Sequence, residues 1–158
     1  MKQTTYMMLK PDAFATGCTE QIKEVLRKNG YTIEAEKEVV VDMKVMQNLL
    51  LHYAEVIDRL GKYFNFPGKL FNSFYFDGPH KICPMKVSYE GDIITDSREL
   101  VGATVPVKAA KGTIRNMFAD DDYARADEGN RLISNCIHAS DSLESAEREL
   151  AIWAEYLK

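Results

Sequence analysis

Short β-prone runs alternate with helix-patterned stretches along this chain, and that alternation limits its fold more than any other feature. Thr5 to Leu9 is an apolar strand candidate that should stop at Lys10-Pro11-Asp12. Proline disfavours helical angles at the residue before it and donates nothing to a β-ladder. Glu20 to Asn29 sets Ile22, Val25 and Leu26 on one helical face and closes at Gly30, a residue type suited to the turn after a helix. Tyr31 to Asp42, rich in Val and Ile, reads as the second strand. Helical patches follow at Val45 to Tyr53 and Lys69 to Phe76, separated by the stretch from Gly61 to Gly68. After the turn signal Asp77-Gly78-Pro79, Ile82 to Tyr89 reads as a strand, with Pro84 a blemish in it. Asp92 to Val101 reads as a helix ended by Gly102. Ala103 to Arg131 has little apolar periodicity and is expected to be mostly loop. Leu132 to His138 is the last strand, and Ser142 to Leu157 the last helix.

The order β-α-β-α-β-α-β-α predicts an α/β (α+β) class: a ferredoxin-like antiparallel sheet covered by helices, with additional helices in the first crossover and at the C-terminus. At 158 residues the chain is expected to form a single domain, residues 1–158. A net charge of -4 offers no general attraction to nucleic acid or to an anionic membrane. Any polyanion must therefore meet a local basic pocket. Cys18, Cys83 and Cys136 are far apart and in no metal-ligand spacing, so they read as free thiols in a reducing compartment. With no apolar run of membrane-spanning length and no signal-like start, the expected location is cytoplasmic.

Chemistry concentrates in Asn135-Cys136-Ile137-His138-Ala139-Ser140-Asp141-Ser142. Asp141 and Glu144 have capping-box spacing, and Leu143, Ala146, Leu150, Trp153 and Leu157 then recur at helical intervals. The free N–H groups and positive dipole end of such a helix favour an anion beside them. A neutral imidazole placed there can attack phosphorus. By spacing alone, His138 suits a structural histidine at least as well.

Further motifs fall in a fixed order: Lys10-Pro11-Asp12, His52-Tyr53, Gly78-Pro79, Arg98, Gly102-Ala103-Thr104 with Pro106, and Gly112-Thr113-Ile114-Arg115. The last is Asn135-x-x-His138-x-Ser140-Asp141-Ser142, with Glu149 and Trp153 beyond it. In this register the chain resembles nucleoside diphosphate kinases over nearly its whole length. No single match is specific; their joint order is.

The resemblance implies ping-pong transfer of a γ-phosphate between nucleoside tri- and diphosphates through phosphohistidine at His138, with Glu149 orienting the ring. Ser140 is expected to bridge His138 and Glu149. Lys10, Arg98 and Arg115 would supply the basic pocket, since guanidinium forks match phosphate oxygens in shape and charge. Tyr53 and Thr104 would add hydroxyl donors, and Asn135 with Lys10 would contact the sugar. Phe66 or Phe64 is the expected stacking wall for the base, with Leu132 opposite. His52 reads as a helix-packing residue and His80 as a turn residue. Mg²⁺ should arrive on the nucleotide phosphates, because no residue cluster resembles a protein-built metal cage. The resemblance also implies a homo-oligomer of dimers, hexamer or tetramer, paired through the strand beginning near Tyr31.

Three departures stand out. Ala139 follows the histidine where glycine is common, and Val105 stands where asparagine is usual. The connection from Arg115 to Asn135 is longer than usual and carries Asp120, Asp121, Asp122, Asp127 and Glu128. It is expected to be a mobile, solvated loop near the mouth of the site. Two other classes compete: a non-catalytic nucleotide-binding or scaffold domain of the same fold, and a single-stranded nucleic-acid binder. The first would be favoured by loss of His138, Lys10 or an arginine, all of which are present. The second lacks a basic face with adjacent stacking aromatics.

Overall fold

The computed structural model describes residues 1–60 and 64–158 in full, and residues 61–63 as helical backbone only. Strand β1 (Lys2–Leu9) leads into helices α1 (Pro11–Thr16) and α2 (Thr19–Lys28). Strands β2 (Thr32–Glu36) and β3 (Val39–Val40) are followed by α3 (Met43–His52), α4 (Ala54–Phe64) and α5 (Phe66–Phe74). Then come β4 (Lys81–Glu90), α6 (Ile93–Val101), a 3-10 turn at Pro106–Lys108, α7 (Ile114–Phe118) and α8 (Tyr123–Glu128). Strand β5 (Ile137–Ala139), α9 (Leu143–Ile152) and a 3-10 turn at Ala154–Tyr156 complete the order. The sheet runs β2-β4-β1-β5 with antiparallel pairings, and β3 also pairs with β4. This is the expected ferredoxin-like arrangement, with α1 as the extra helix of the first crossover.

Both faces of the sheet are covered. Alternation along β1 sends Tyr6 and Met8 into one core, beneath α3, α5 and Trp153. Met7 and Leu9 enter the other, with Ile22 and Leu26 of α2 and Ile93 of α6. A strand buried on both faces reads as a continuous apolar run, as Tyr6 to Leu9 does.

Several boundaries differ from expectation. The strand expected over Tyr31 to Asp42 splits, and β2 and β3 pair with different parts of β4. Pro84 lies opposite the gap between them, where its missing N–H interrupts neither pairing; its carbonyl accepts from Lys37 N at 3.2 Å. The expected break from Gly61 to Gly68 is instead the end of α4 and the start of α5, joined at Asn65 in a left-handed conformation (φ 50°). The Ala103 to Arg131 connection is partly helical, because Thr113 caps α7 through Asn116 N and Asp122 caps α8 through Arg125 N at 2.8 Å. The last strand begins at Ile137 rather than Leu132, since Leu132 N donates to Ser73 Oγ and Ser134 N to Asp121 Oδ2. Helix α9 is capped by Ser142, which accepts from Ser145 N at 3.0 Å, and not by Asp141. Among the described residues, no helix is long and apolar enough to cross a membrane.

Candidate active site

Pairing of Met8 with His138 fixes β5 against β1 and points the imidazole into a cleft of about 1170 Å³. The next strand residue, Ala139, pairs with Met7, so the position where glycine is common carries ordinary strand backbone. Helix α9 folds back along β1 and brings Glu149 to the ring: His138 Nε2 lies 2.8 Å from Glu149 Oε1. Glu149 is 4% exposed, so its carboxylate depends on protein donors. Ser140 Oγ donates to the same Oε1 at 2.7 Å, and Arg148 Nη2 reaches Oε2 at 3.4 Å. Ser140, expected to bridge ring and carboxylate, bonds the carboxylate but not the ring among the described residues, and its Oγ (3.1 Å) and N–H both also reach Tyr6 O. With Nε2–H committed to Glu149, the lone pair of a neutral His138 is on Nδ1. Cys136 is no rival nucleophile, because burial, then Asp12, pushes its thiol up to about 12.

Facing the ring is the basic end of the cleft, with Lys10, Arg98 and Arg115 in its lining. Lys10 directly precedes α1, whose Pro11 starts the helix and turns the chain out of β1. Its Nζ donates to Asn135 Oδ1 at 2.8 Å and Ile133 O at 3.2 Å. Burial pulls its pKa down to about 8, with Arg115 repelling it and Asp12 opposing the fall. Arg115 is braced by two backbone carbonyls, Gly102 O at 3.1 Å and Ile137 O at 2.7 Å. Arg98 comes from the last turn of α6. Asn135 Nδ2 donates to Thr104 O at 3.0 Å, leaving the exposed Thr104 side chain on the rim. Tyr53, between α3 and α4, faces His138 with ring centroids 6.3 Å apart; burial raises its hydroxyl above the ordinary tyrosine value.

The cleft's apolar lining comes from Leu60 and Phe64 of α4, Phe66 of α5, and Tyr123, Ala126 and Leu132, with Glu55, Arg59, Asp127 and Arg131 on the same segments. Phe66 is 8% exposed and packs on Tyr53, whereas Phe64 lies on the wall beneath Lys69 Nζ, 3.6 Å from its ring centroid. Phe64 is thus the more accessible of the two aromatic surfaces. Val105, where asparagine was expected by resemblance, is buried and takes no part in the polar lining.

Sequence reasoning missed four contributors. Asp12 Oδ2 accepts from Cys136 N at 2.9 Å and so supports the left-handed Cys136 (φ 63°), which reverses the chain between Asn135 and Ile137. Lys10 N donates to Cys136 O at 2.9 Å, closing the same turn. Asp121, 1% exposed, accepts from Arg131 at 2.6 and 3.1 Å and from Ser134 N at 2.7 Å. His52 is more than a packing residue: its ring stands edge-on to His138, centroids 4.5 Å apart. His80 does sit at a turn, bonded to Phe76 O. A helix-start Asp after Lys-Pro was a visible signal for Asp12; for Asp121 and Arg131 the sequence offered only charges in a polar stretch.

The family model described as nucleoside diphosphate kinase matches residues 3–156. Among curated relatives of that name, one from Desulforamulus reducens is 38% identical over 96% of this chain and 87% of its own. One from Exiguobacterium sibiricum is 35% identical over 96% and 94%, and one from Saccharomyces cerevisiae 36% identical over 96% and 84%. A Borrelia burgdorferi structure, described as a transition state mimic of nucleoside-diphosphate kinase with bound vanadate and ADP, superposes with a TM-score of 0.85 at 25% identity, covering 99% of this chain and 90% of that one. A Pyrobaculum aerophilum NDP kinase structure gives 0.76 at 28% identity, with full coverage of both chains.

Proposed function

This chain belongs to the nucleoside diphosphate kinase family, and on that footing we propose that it carries the γ-phosphoryl group of nucleoside triphosphates to diphosphates on His138. The observation that carries this reading is the 2.8 Å contact between His138 Nε2 and Glu149 Oε1. It leaves Nδ1 as the free nucleophile in a cleft whose phosphate end is cationic.

In the first half-reaction the Nδ1 pair bonds to Pγ while the bond from Pγ to its bridging oxygen breaks, its electrons leaving with the diphosphate. Nε2 keeps its proton, so the phosphorylated ring is cationic and Glu149 is its counter-charge. No proton has to move. The second nucleotide reverses the step: its terminal oxygen attacks phosphorus and the N–P pair returns to Nδ1. Lys10, Arg98 and Arg115 hold the charge on the transferring group, with Tyr53 and Thr104 as hydroxyl donors and Asn135 at the sugar. Mg²⁺ enters with the nucleotide phosphates, since Glu149 is committed to His138 and Ser140, and Asp12 to Cys136 N. The apolar lining of the cleft takes the base by stacking, which every base can offer.

The ADP named with the Borrelia burgdorferi relative supports this class of ligand. Assembly through the β2 edge into a homo-oligomer of dimers and a cytoplasmic location belong to the same proposal.

The test is to incubate the protein with γ-labelled ATP and then add unlabelled GDP. An acid-labile label that chases into GTP is expected, and His138→Ala should bind nucleotide without taking up label. Label persisting on His138→Ala would overturn the assignment.

A further inference from the structure

His52, at the end of α3, lies 4% exposed among Tyr6, Tyr53, His138 and Trp153. Its Nδ1 is 3.1 Å from Trp153 Nε1. An indole N–H can only donate, so Nδ1 must be an acceptor and the proton of the neutral ring sits on Nε2. Burial first, then His138 and Arg148, hold this ring well below the ordinary histidine value, so it stays neutral. The resulting Nε2–H has no hydrogen-bond partner among the described residues. It lies 3.9 Å from Glu149 Oε2, the carboxylate oxygen that His138 does not bond.

Two imidazoles and a carboxylate whose ligand atoms fall within 4.8 Å of one another also invite a transition-metal reading. The Trp153 contact argues against it. A metal at His52 Nε2 needs that nitrogen's lone pair, which moves the proton to Nδ1 and drives it against the indole N–H. The tautomer that the core enforces is a donor.

We propose that His52 is a positioning residue for phosphoryl transfer: its Nε2–H, fixed by Trp153, is poised 3.9 Å from Oε2 of Glu149 to take that oxygen during the reaction, so that Oε1 stays on His138. The inference rests on the reading of His138 as the phosphoryl carrier. Unlike Ser140, which bonds the same oxygen as His138, His52 acts on the other oxygen and so sets the twist of the carboxylate. A small closing movement of Glu149 completes the bond. That movement is favoured when phosphorylation makes the His138 ring cationic and the carboxylate becomes its counter-charge.

The test compares His52→Phe, which keeps a buried ring without a donor, with His52→Gln, whose amide N–H reaches a similar place. Single-turnover uptake of label from γ-labelled ATP should slow about 100-fold in His52→Phe, the scale of a misplaced reacting group, with nucleotide affinity nearly unchanged. His52→Gln should recover most of the rate. Nitrogen-15 NMR of the wild type, which does not depend on any variant folding, should show His52 protonated at Nε2 only. Added Zn²⁺ should leave that signal in place. A wild-type rate in His52→Phe, an Nδ1-protonated ring, or Zn²⁺ captured at Nε2 would each overturn the proposal. Failure of the wild type itself to take up label would instead refute the His138 reading.

Discussion

Lys69 Nζ lies 2.7 Å from Asp127 Oδ1, and this contact ties α5 to α8 at the cleft's apolar lining. Asn72 Nδ2 donates to Asn130 O at 2.7 Å beside it. The acidic connection, expected from composition to be a mobile loop, is partly helical and tied to the cleft wall by Asp127 on Lys69 and by Asp121 on Arg131 and Ser134 N. Asp120 and Asp122 engage Arg125, Asp121 engages Arg131, and Asp127 engages Lys69. Asparagine at 120–122 should consequently loosen nucleotide binding, the reverse of what repulsion from a solvated loop implies.

Asp127→Ala should destabilise the fold by about 1–3 kcal/mol, because Lys69 is left buried without its carboxylate. It should also raise KM several-fold while leaving single-turnover phosphorylation at saturating nucleotide unchanged, since the contact shapes the base end and not the reacting end. Urea unfolding and initial-rate kinetics check both parts. An unchanged KM would place the base away from α8.

Asp121→Asn should weaken both folding and nucleotide affinity. Ser134 N on Asp121 fixes the stretch that presents Ile133 O and Asn135 to Lys10. Burial by itself would raise the Asp121 carboxyl, but Arg131 and the Ser134 N–H outweigh it and hold the pKa below the ordinary aspartate value. A depressed native pKa means this contribution is present above the unfolded-state value and is lost as pH falls through the native one. Wild-type stability should therefore drop more steeply in acid than that of Asp121→Asn. Parallel acid profiles for the two would show that the charge contributes nothing.

Strand and helix order was legible because period-two and period-3.6 patterns survive wherever one face is buried, as in α2 and β1. Boundaries failed where tertiary partners decide them. Leu132 to Asn135 has a strand's composition, but its N–H groups go to Ser73 and Asp121, both far away in sequence. Lys10, Tyr53, Arg98, Thr104, Arg115, Asn135, His138 and Glu149 line one cleft, whereas Ser140 is buried behind Glu149. Asp121, Arg131 and His52 were not readable as site residues: each acts through a contact ten or more positions away, which no local pattern encodes.

Arg115→Lys should lose roughly 10- to 100-fold in kcat/KM, corresponding to about 1.5–3 kcal/mol for a lost charged hydrogen bond. Nη1 and Nη2 of the guanidinium hold Gly102 O and Ile137 O, Nε is buried, and the side chain lines the cleft. A single ammonium cannot brace both carbonyls and still meet a phosphate oxygen. Because Ile137 adjoins His138, the proposed phosphorylation of that ring should slow along with binding. Steady-state and single-turnover rates separate the two effects, and full activity with lysine would show that the brace is dispensable.

Lys10 should make affinity and stability respond to alkali in opposite directions. Burial lowers its native pKa to about 8, against 10.5 for an ordinary lysine. Below pH 8 the ammonium is charged in both free and bound protein, so affinity for a nucleoside triphosphate should be flat. Above it the free protein loses the proton that the phosphates require, and affinity should fall by up to about tenfold per pH unit. For folding the sign reverses. Between pH 8 and 10.5 the unfolded chain holds the proton that the native state has released, so this group adds stability as pH rises. Lys10→Met should flatten the affinity profile at its low value and remove the stabilising slope. Titration calorimetry and urea unfolding from pH 7 to 10 measure both quantities on the same protein. Affinity that stays flat up to pH 10 in the wild type would mean that Lys10 remains charged there, or that it does not meet the phosphates at all.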